Sequence, residues 1–366
     1  MTSSYAAAAN PFDHAFGGDT PPAPARPEPF AFTGTGSEYF RIWIVNLLLT
    51  ILTLGIYSAW AKVRRERYFY DNTRLAGSSF EYHGNPVAIL KGRIVAVLLF
   101  GGYNLAFEYS ATAGFVMFGL FLLAFPWLMW KSLQFKLQNS SYRGIRFGFR
   151  GGAAGAYVAY LFYPALAVLS LYTLAPLAHQ RIKRFQHTES RYGSTHFSFD
   201  AGVGGFYVVY LIGFGVMLAG LVALGLLFGG TLAALYAAGG KGGLPAAFTM
   251  TMMFFAIYAW VFLLIPIMMT LMQNLIWRHT RLGEHAFKCE MKWTRVAYIA
   301  VTNIAGILLT LGLFIPFAKV RMMRYRLESM TLLPHGDLDH FIAEAQRETT
   351  AAGEGMADLL DFDMSL

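Results

Sequence analysis

The sequence predicts an all-α protein that crosses a membrane several times. Of the 366 residues, 56% are hydrophobic and only 14% are charged, whereas soluble domains carry about 25% charged residues. The mean hydropathy of +0.44 is typical of a chain whose main solvent is lipid. Several apolar runs approach the roughly 20 residues that a helix needs to cross the bilayer core. About seven such runs occur, near Phe40–Trp60, Ile94–Phe107, Gly114–Trp130, Ala156–Leu177, Phe206–Phe228, Phe248–Leu271 and Val296–Phe317.

The segments outside these runs divide the chain into three parts. Residues 1–29 are rich in proline and alanine, and they predict a disordered tail without a signal peptide. Residues 30–332 hold the apolar runs and form the predicted transmembrane domain. Residues 333–366 are acidic, with eight Asp and Glu residues from Pro334 onward against Arg347 alone. This last part is expected to be a solvated tail, with a short amphipathic helix in DHFIAEAQRE as the alternative.

Charge, cysteine content and motifs exclude several classes of function. The net charge of +8 does not predict nucleic-acid binding, because the basic residues flank the apolar runs as the positive-inside rule requires. Cys289 is the single cysteine, which excludes an internal disulfide framework and a CxxC metal site. The histidines lack HExxH or paired ligand spacing, and no phosphate-binding loop or Ser/His/Asp arrangement stands out. We therefore expect no enzyme, no metal site and no cofactor.

Three apolar runs end in the same pattern of residues. The stretches LTLGIYSAWAKVRRERY, LSLYTLAPLAHQRIKRF and LTLGLFIPFAKVRMMRY align on Ala59, Pro176 and Pro316. Two fainter copies align on Pro126 and Pro266. Such recurrence at fixed offsets indicates one supersecondary unit that has been copied. Basic residues then follow at offsets of three, five and eight residues: Lys62, Arg64, Arg67, Arg181, Arg184, Lys319, Arg321 and Arg324.

A pair of aromatic residues, separated by one position, follows each of the first four copies. The pairs have strand character and are bounded by glycine-containing turns. We expect them to pair as short strands in a small cytoplasmic sheet that connects the units; coil in an aromatic belt is the alternative. The pairs are Phe80-x-Tyr82, Phe147-x-Phe149, Phe197-x-Phe199 and the degenerate Phe287-x-Cys289, and Phe30-x-Phe32 precedes the first run.

The membrane segments of the five units alternate in length. Units two and four hold long helical hairpins, whereas units one, three and five hold shorter apolar segments. Basic residues follow every unit, so a positive-inside arrangement requires the short segments to dip into the membrane and return. Irregular backbone at membrane depth is tolerated where protein buries it. We favour these re-entrant segments over three-plus-three inverted repeats, the arrangement common in secondary transporters.

The region from Glu38 to Pro86 carries a family resemblance. Its AWAKVR and NTRLAGSSFEYHG motifs closely resemble the YjgN-like family of bacterial inner-membrane proteins, and the similarity extends from about Phe30 to Leu332. The resemblance implies a multi-pass protein of the bacterial inner membrane with no assigned reaction. Cys289 departs from the pattern, since an aromatic residue is expected there.

Mild polar residues are the candidates for a path through the membrane, because no run has an ionisable residue at its centre. Asn46 and Asn303 stand at equivalent positions of units one and five, and Thr53 and Thr310 follow them. Side-chain amides at matched depth predict a polar path. Hydrogen bonds between helices are the favoured alternative.

The eight basic residues of the aligned copies are the second candidate site. Cations and aromatic rings at headgroup depth predict pockets for membrane lipids, in particular anionic phospholipids. Anchoring of the topology by the positive-inside rule is the favoured alternative.

Two functions are compatible with these patterns. A transporter, channel or lipid-moving protein is favoured, because repeated and broken membrane segments usually surround a path. The alternative is a non-transporting scaffold or assembly factor that binds a partner through its cytoplasmic face. The sequence identifies neither the substrate, nor the energy source, nor a protein partner or homo-oligomer.

Overall fold

Helices make up most of the structure, a computed structural model that describes residues 26–237, 244–336 and 338–347. Residues 1–25 of the predicted 1–29 tail, and residue 337 and residues beyond 347 of the acidic tail, lie outside this range. Glu28 and Pro29, at the end of the predicted disordered tail, lie in a strand. A π-helical turn, Val158–Phe162, joins α5 to α6. The helices are α1 (Gly36–Leu52), α2 (Ser58–Asp71), α3 (Pro86–Tyr109), α4 (Ala111–Gln138), α5 (Ala153–Tyr157), α6 (Tyr163–Leu169), α7 (Ala175–Thr188), α8 (Val203–Ala237), α9 (Leu244–Arg278), α10 (Trp293–Leu309), α11 (Ile315–Glu328) and α12 (residues 338–347).

Eleven short strands form one antiparallel sheet that curls into a nearly closed barrel. Its two ends are β1 and β2, which are separated along the chain only by Phe30, so the sheet almost meets itself. Closure satisfies the hydrogen-bonding groups that open sheet edges would expose. The strands are β1 (Glu28–Pro29), β2 (Ala31–Phe32), β3 (Thr73–Leu75), β4 (Ser78–Tyr82), β5 (Ser140–Tyr142), β6 (Ile145–Phe149), β7 (Ser190–Tyr192), β8 (Thr195–Phe199), β9 (Thr280–Leu282), β10 (His285–Cys289) and β11 (Met330–Leu333).

The barrel shows that the predicted all-α fold class is wrong. The aromatic pairs do lie in or beside strands, as expected, but the sheet is a central element rather than a small accessory. Its strands are three to five residues long around each hairpin, too short to produce a strong alternating pattern. The hairpin turns stabilise them: Ala76 and Gly77 both have positive φ, at 45° and 77°. That is the type I′ geometry matching the twist of antiparallel strands.

The prediction of about seven membrane segments is also wrong. Among the described residues, four helices are long and apolar enough to cross a membrane: α3, α4, α8 and the Pro245–Arg278 part of α9. The other three predicted runs are each divided by a turn into two shorter helices. In the first, the left-handed residues Leu54 and Gly55, with φ of 49° and 93°, separate α1 from α2. Leu311 and Gly312 repeat this geometry between α10 and α11, with φ of 51° and 95°.

The two helices before each hairpin fold back on one another. Tyr68, near the end of α2, stacks on Tyr39 of α1 with ring centroids 5.3 Å apart. Its hydroxyl donates to the carbonyl oxygen of Thr35, 2.8 Å away, just before α1. In the last pair, the Tyr325 hydroxyl of α11 accepts from the amide of Lys292, 2.8 Å away, just before α10. Both helices of a pair therefore start and end at the sheet.

All helix pairs join the same rim of the barrel. Strands β4 and β5 are antiparallel neighbours, so the end of β4 and the start of β5, which α3 and α4 connect, lie at one rim. The tight turns of the hairpins lie at the opposite rim. Around the axis, the second helix of each pair packs on the first helix of the next: α2 on α3, α4 on α5, α7 on α8, α9 on α10 and α11 on α1. The helix pairs therefore form a ring above the barrel.

Candidate functional site on the barrel axis

Five phenylalanines form a closed ring inside the barrel, here called the phenylalanine ring. Neighbouring ring centroids are 6.3–6.5 Å apart all the way round. Four members occupy the same position in β4, β6, β8 and β10, and the fifth lies between β1 and β2. The members are Phe30, Phe80, Phe147, Phe197 and Phe287.

The phenyl groups lie nearly flat across the barrel axis. Neighbouring ring planes are inclined to one another by only 16–31°. If each ring plane contained the barrel axis, the angle between neighbouring planes would be much larger. Five centroids at this spacing lie about 5.5 Å from their common centre, and the ring edges fill much of that distance. The phenylalanine ring is therefore a narrow apolar constriction.

A second apolar layer lies next to the phenylalanine ring, towards the rim of hairpin turns. The register places each member opposite a phenylalanine: Tyr142 faces Phe80, and Tyr192 faces Phe147. The hydroxyl of Tyr142 donates to the carbonyl oxygen of Leu75 at 2.6 Å. Burial raises the pKa of both tyrosines, so their hydroxyls stay protonated donors. The layer consists of Leu75, Tyr142, Tyr192, Leu282 and Leu332.

A cavity of about 510 Å³ follows the axis on both sides of these layers. Its walls are mostly apolar, as in many ligand sites. Towards the helices the lining becomes polar, with Glu66, Lys136, Gln273 and Arg326. Arg326 donates from Nη2 to the Gln273 side-chain oxygen, 3.1 Å away.

Cations crowd the helix side of the cavity, a region we call the vestibule. Burial is the main cause of the lowered pKa of Lys183, and the charge of Lys136 lowers it further. Burial also lowers the pKa of Lys319, with Arg65 adding to the effect. Glu66 is the one carboxylate in this set, and Arg65 contacts it at 2.9 Å. Of the vestibule residues, Glu66, Lys136 and Arg326 line the cavity, and the others interact with Glu66 or Lys136 from neighbouring helices: Lys62, Arg65, Lys183 and Lys319.

Helix α12 covers the other mouth of the barrel. It is the helical alternative for the acidic tail, whereas a solvated tail was favoured. Ile342 is only 4% exposed and packs into the barrel core together with Ala345. The Phe341 ring lies 4.3 Å from the His285 ring and 6.3 Å from the Tyr192 ring, measured between centroids. The apolar face of α12 therefore closes the cavity from the rim of hairpin turns.

The four residues of the predicted polar path make two kinds of contact. Asn303 is buried and accepts from Arg321 at 2.8 Å, while its amide donates to the carbonyl of Ala318. Asn46 is equally buried, but its side-chain oxygen has no hydrogen-bond partner. Thr53 and Thr310 each accept a backbone amide at 2.9 Å in the turn within their helix pair. The structure thus gives the two threonines a local role in the turns, and it does not bring the four residues onto the barrel axis.

The eight cations that were predicted to bind lipid headgroups also differ in their contacts. Arg67 and Arg324 donate to the backbone carbonyls of Tyr82 and Gly34, at 3.3 and 2.8 Å, and so connect helices to the barrel rim. Arg321 lies between α10 and α11, as described above. Arg64 and Arg181 lie over the rings of Tyr57 and Tyr163, and Arg184 is exposed. Lys62 and Lys319 belong to the vestibule.

Sequence reasoning missed the phenylalanine ring as a possible site. The signal that could have found it is the fixed offset between the first aromatic residue of each pair and the residue on which its copy is aligned. That offset was used only to predict strands. Lys136 and Arg326 both lie ten residues after their anchors, but they were missed because the other three copies have Phe69, Gln186 and Ile276 at that position. Within the described part of the chain, no group of three or more His, Cys, Asp or Glu residues could hold a metal ion.

Comparison with known proteins supports the resemblance seen in the sequence. The chain is 34% identical over 142 residues to the inner membrane protein YjgN of Salmonella typhimurium, covering 38% of this chain and 36% of that protein. It is 33% identical over 151 residues to the inner membrane protein YjgN of Escherichia coli K12, covering 40% and 37%. The matched part spans little more than a third of these relatives.

These relatives are named as inner membrane proteins, and four described helices of this chain are long and apolar enough to cross a membrane. The predicted multi-pass placement in the bacterial inner membrane is therefore confirmed. No solved structure matches the chain. A family model described as "Bacterial protein of unknown function (DUF898)" matches residues 27–359. The chain therefore belongs to the DUF898 family of bacterial proteins.

Proposed function

We propose that the protein is a membrane channel whose path follows the barrel axis through the phenylalanine ring. The observation that carries this proposal is the closed ring of five phenyl groups, 6.3–6.5 Å apart, within an axial cavity. Apolar constrictions of this kind close ion pores because water does not fill them. The described arrangement corresponds to a closed state.

The channel proposal includes the origin and placement of the helix pairs. We infer that the five units are copies of one helix pair with its strands, because the same order of elements recurs around the barrel. The short pairs are proposed to enter the bilayer and return. Helix α1 has 17 residues and rises about 25 Å, less than the bilayer core. The turn residues Leu54 and Leu311 are 96% and 95% exposed, which fits lipid around them.

A polar substitution in the phenylalanine ring tests the channel proposal. Phe147→Ser adds a hydroxyl to the constriction, so water and ions should enter and conductance in planar bilayers should rise at least tenfold. Phe147→Leu is the matched control, because it removes the ring yet keeps the position apolar. It should remain closed.

The result that overturns the proposal is equally direct. If Phe147→Ser elutes and melts like the folded parent but does not conduct, even in a chain that ends before residue 338 and so lacks α12, no path follows this axis. That outcome would favour the alternative of a membrane scaffold that binds a partner through its cytoplasmic face.

A further inference from the structure

We infer that the vestibule binds anions and that anions are the permeant class of the channel. This inference rests on the proposed function and adds the chemistry of what passes. Lys136, Arg326 and Glu66 line the cavity on the helix side of the phenylalanine ring, and four further cations of neighbouring helices interact with Lys136 or Glu66.

Four of the five helix pairs contribute a cation to the vestibule. Lys62 and Arg65 come from α2, Lys136 from α4, and Lys183 from α7. Lys319 and Arg326 come from α11, and the remaining pair contributes the uncharged Gln273. These cations come from separate elements around one axis and do not form a charged patch on one helix.

The vestibule cations act on one another. Arg93, Arg65 and Lys136 repel Lys62, although Glu66 acts on it more strongly in the opposite direction, and Lys136 repels Lys183. Glu66 is the carboxylate that offsets them, and its contact with Arg65 occupies it. Like charges in a partly buried space repel strongly, since the effective dielectric constant is lower than in water. Mobile anions entering from solution would relieve this repulsion.

A cleft lined by one sign of charge concentrates the opposite ions. Rings of arginine and lysine select anions in other pores. Topology anchoring alone explains basic residues that face the membrane surface, but it does not explain Lys136 and Arg326 lining the axial cavity. The ligand chemistry is a small oxyanion or halide, and an anionic phospholipid headgroup shares it.

Anion binding is tested first on the purified full chain in neutral detergent. Inorganic phosphate should raise the melting temperature of the parent by several degrees. Lys136→Gln combined with Arg326→Gln should abolish this increase. Lys131→Gln combined with Lys288→Gln is the matched control: the first lies on the same helix above the Trp130 ring, and the second contacts Glu290 on the barrel exterior.

Two further arms separate the possible sources of the anion. A free anion is indicated if phosphate stabilises the lipid-free protein. A lipid headgroup is indicated if only phosphatidylglycerol does so, again with dependence on Lys136 and Arg326. Equal stabilisation of the parent and the Lys136→Gln/Arg326→Gln variant by both additives overturns the anion site.

Selectivity is then measured on the conducting Phe147→Ser variant in a potassium chloride gradient. The reversal potential should lie near that of chloride, and adding Lys136→Gln should lower the chloride-to-potassium permeability ratio about threefold or more. A conducting but cation-selective pore overturns the anion inference and leaves the channel proposal standing. A non-conducting variant that still binds phosphate through Lys136 overturns the channel proposal and leaves the anion site standing.

Discussion

Arg143, in the turn between β5 and β6, contacts Asp339 of α12 through Nη1 and Oδ1 at 2.5 Å. The same residue accepts from the Gln346 side chain through its carbonyl oxygen at 2.9 Å. Arg143 thus holds both ends of α12 against the barrel mouth. If the axis is a path, this helix must move before anything passes, and its contacts define how firmly the mouth is closed.

The charge on α12 should tune its docking. Asp339→Lys replaces an attraction with a repulsion, while Glu344→Lys makes the same charge change at an exposed position. Because Asp339 is 78% exposed, the pair contributes less than about 1 kcal/mol. We expect amide exchange in α12 to accelerate up to about fivefold in Asp339→Lys and to change little in Glu344→Lys. Equal acceleration in both variants would show that net charge, rather than this contact, holds the helix.

The apolar contacts of α12 should matter more than its ion pair. Ile342 is buried in the barrel core, so Ile342→Ala should weaken docking by roughly 2–4 kcal/mol. In planar bilayers, Ile342→Ala or a chain end before residue 338, each combined with Phe147→Ser, should open more often than Phe147→Ser alone. His340→Ala removes an exposed side chain from the same helix and serves as the control. An α12 deletion that leaves conductance unchanged, alongside a conducting Phe147→Ser variant, would show that α12 is no barrier.

Docking of α12 should depend on pH through His285. Its Nδ1 accepts the amide of His335 at 3.0 Å, and its ring contacts Phe341. Burial is the main cause of its lowered pKa, His335 lowers the pKa further and Glu284 opposes the shift. His285 is thus neutral when docked; its contribution is complete above the usual histidine pKa of about 6.5 and is lost as the pH falls through the lowered value.

The measurement is amide exchange in α12 at pH 7.5 and pH 5.5. Protection, which compares the measured rate with the intrinsic rate at the same pH, should be lower at pH 5.5 in the parent, whereas His285→Asn keeps an acceptor without titrating and should remove the difference. The neighbouring His335–Glu284 pair, 3.0 Å apart, is mostly exposed, so water screens its interaction. Equal or higher protection at pH 5.5 in the parent would contradict the assignment to His285.

The two buried asparagines should respond differently to substitution. Asn303→Leu leaves Nη1 of Arg321 without its acceptor, while Nη2 keeps Thr302, and should lower the unfolding free energy by about 1–3 kcal/mol. Asn46→Leu removes an oxygen that has no partner, so stability should be unchanged or higher. Melting temperatures in detergent check both. If both variants lose the same stability, Asn46 has a partner in the membrane, and that result would again favour the predicted polar path.

The sequence predicts the strands better than the architecture they form. The offset of Phe80, Phe147 and Phe197 from their anchors located β4, β6 and β8, because local β-propensity and glycine turns are readable. That these strands close into a barrel is set by pairing across the chain, as between Glu28 and Leu332, which leaves no local signal. The distribution of basic residues predicted short segments that fold back. The sequence did not predict where they turn, because Leu54 and Leu311 adopt a left-handed backbone although leucine usually prefers helix interiors. Lys136 and Arg326 share an offset from their anchors, but only the three-dimensional arrangement shows that this position lines the axial cavity.

Closure of the barrel at Phe30 has a consequence for how the protein is made. Strand β1 finds its partner β11 only after almost the whole described chain has been synthesised. Pairing across such a separation is slow, because a long loop must close first. During translation the growing sheet therefore carries two unpaired edges, and the N-terminal segment must be kept from premature aggregation until the last hairpin has left the ribosome and the insertion machinery.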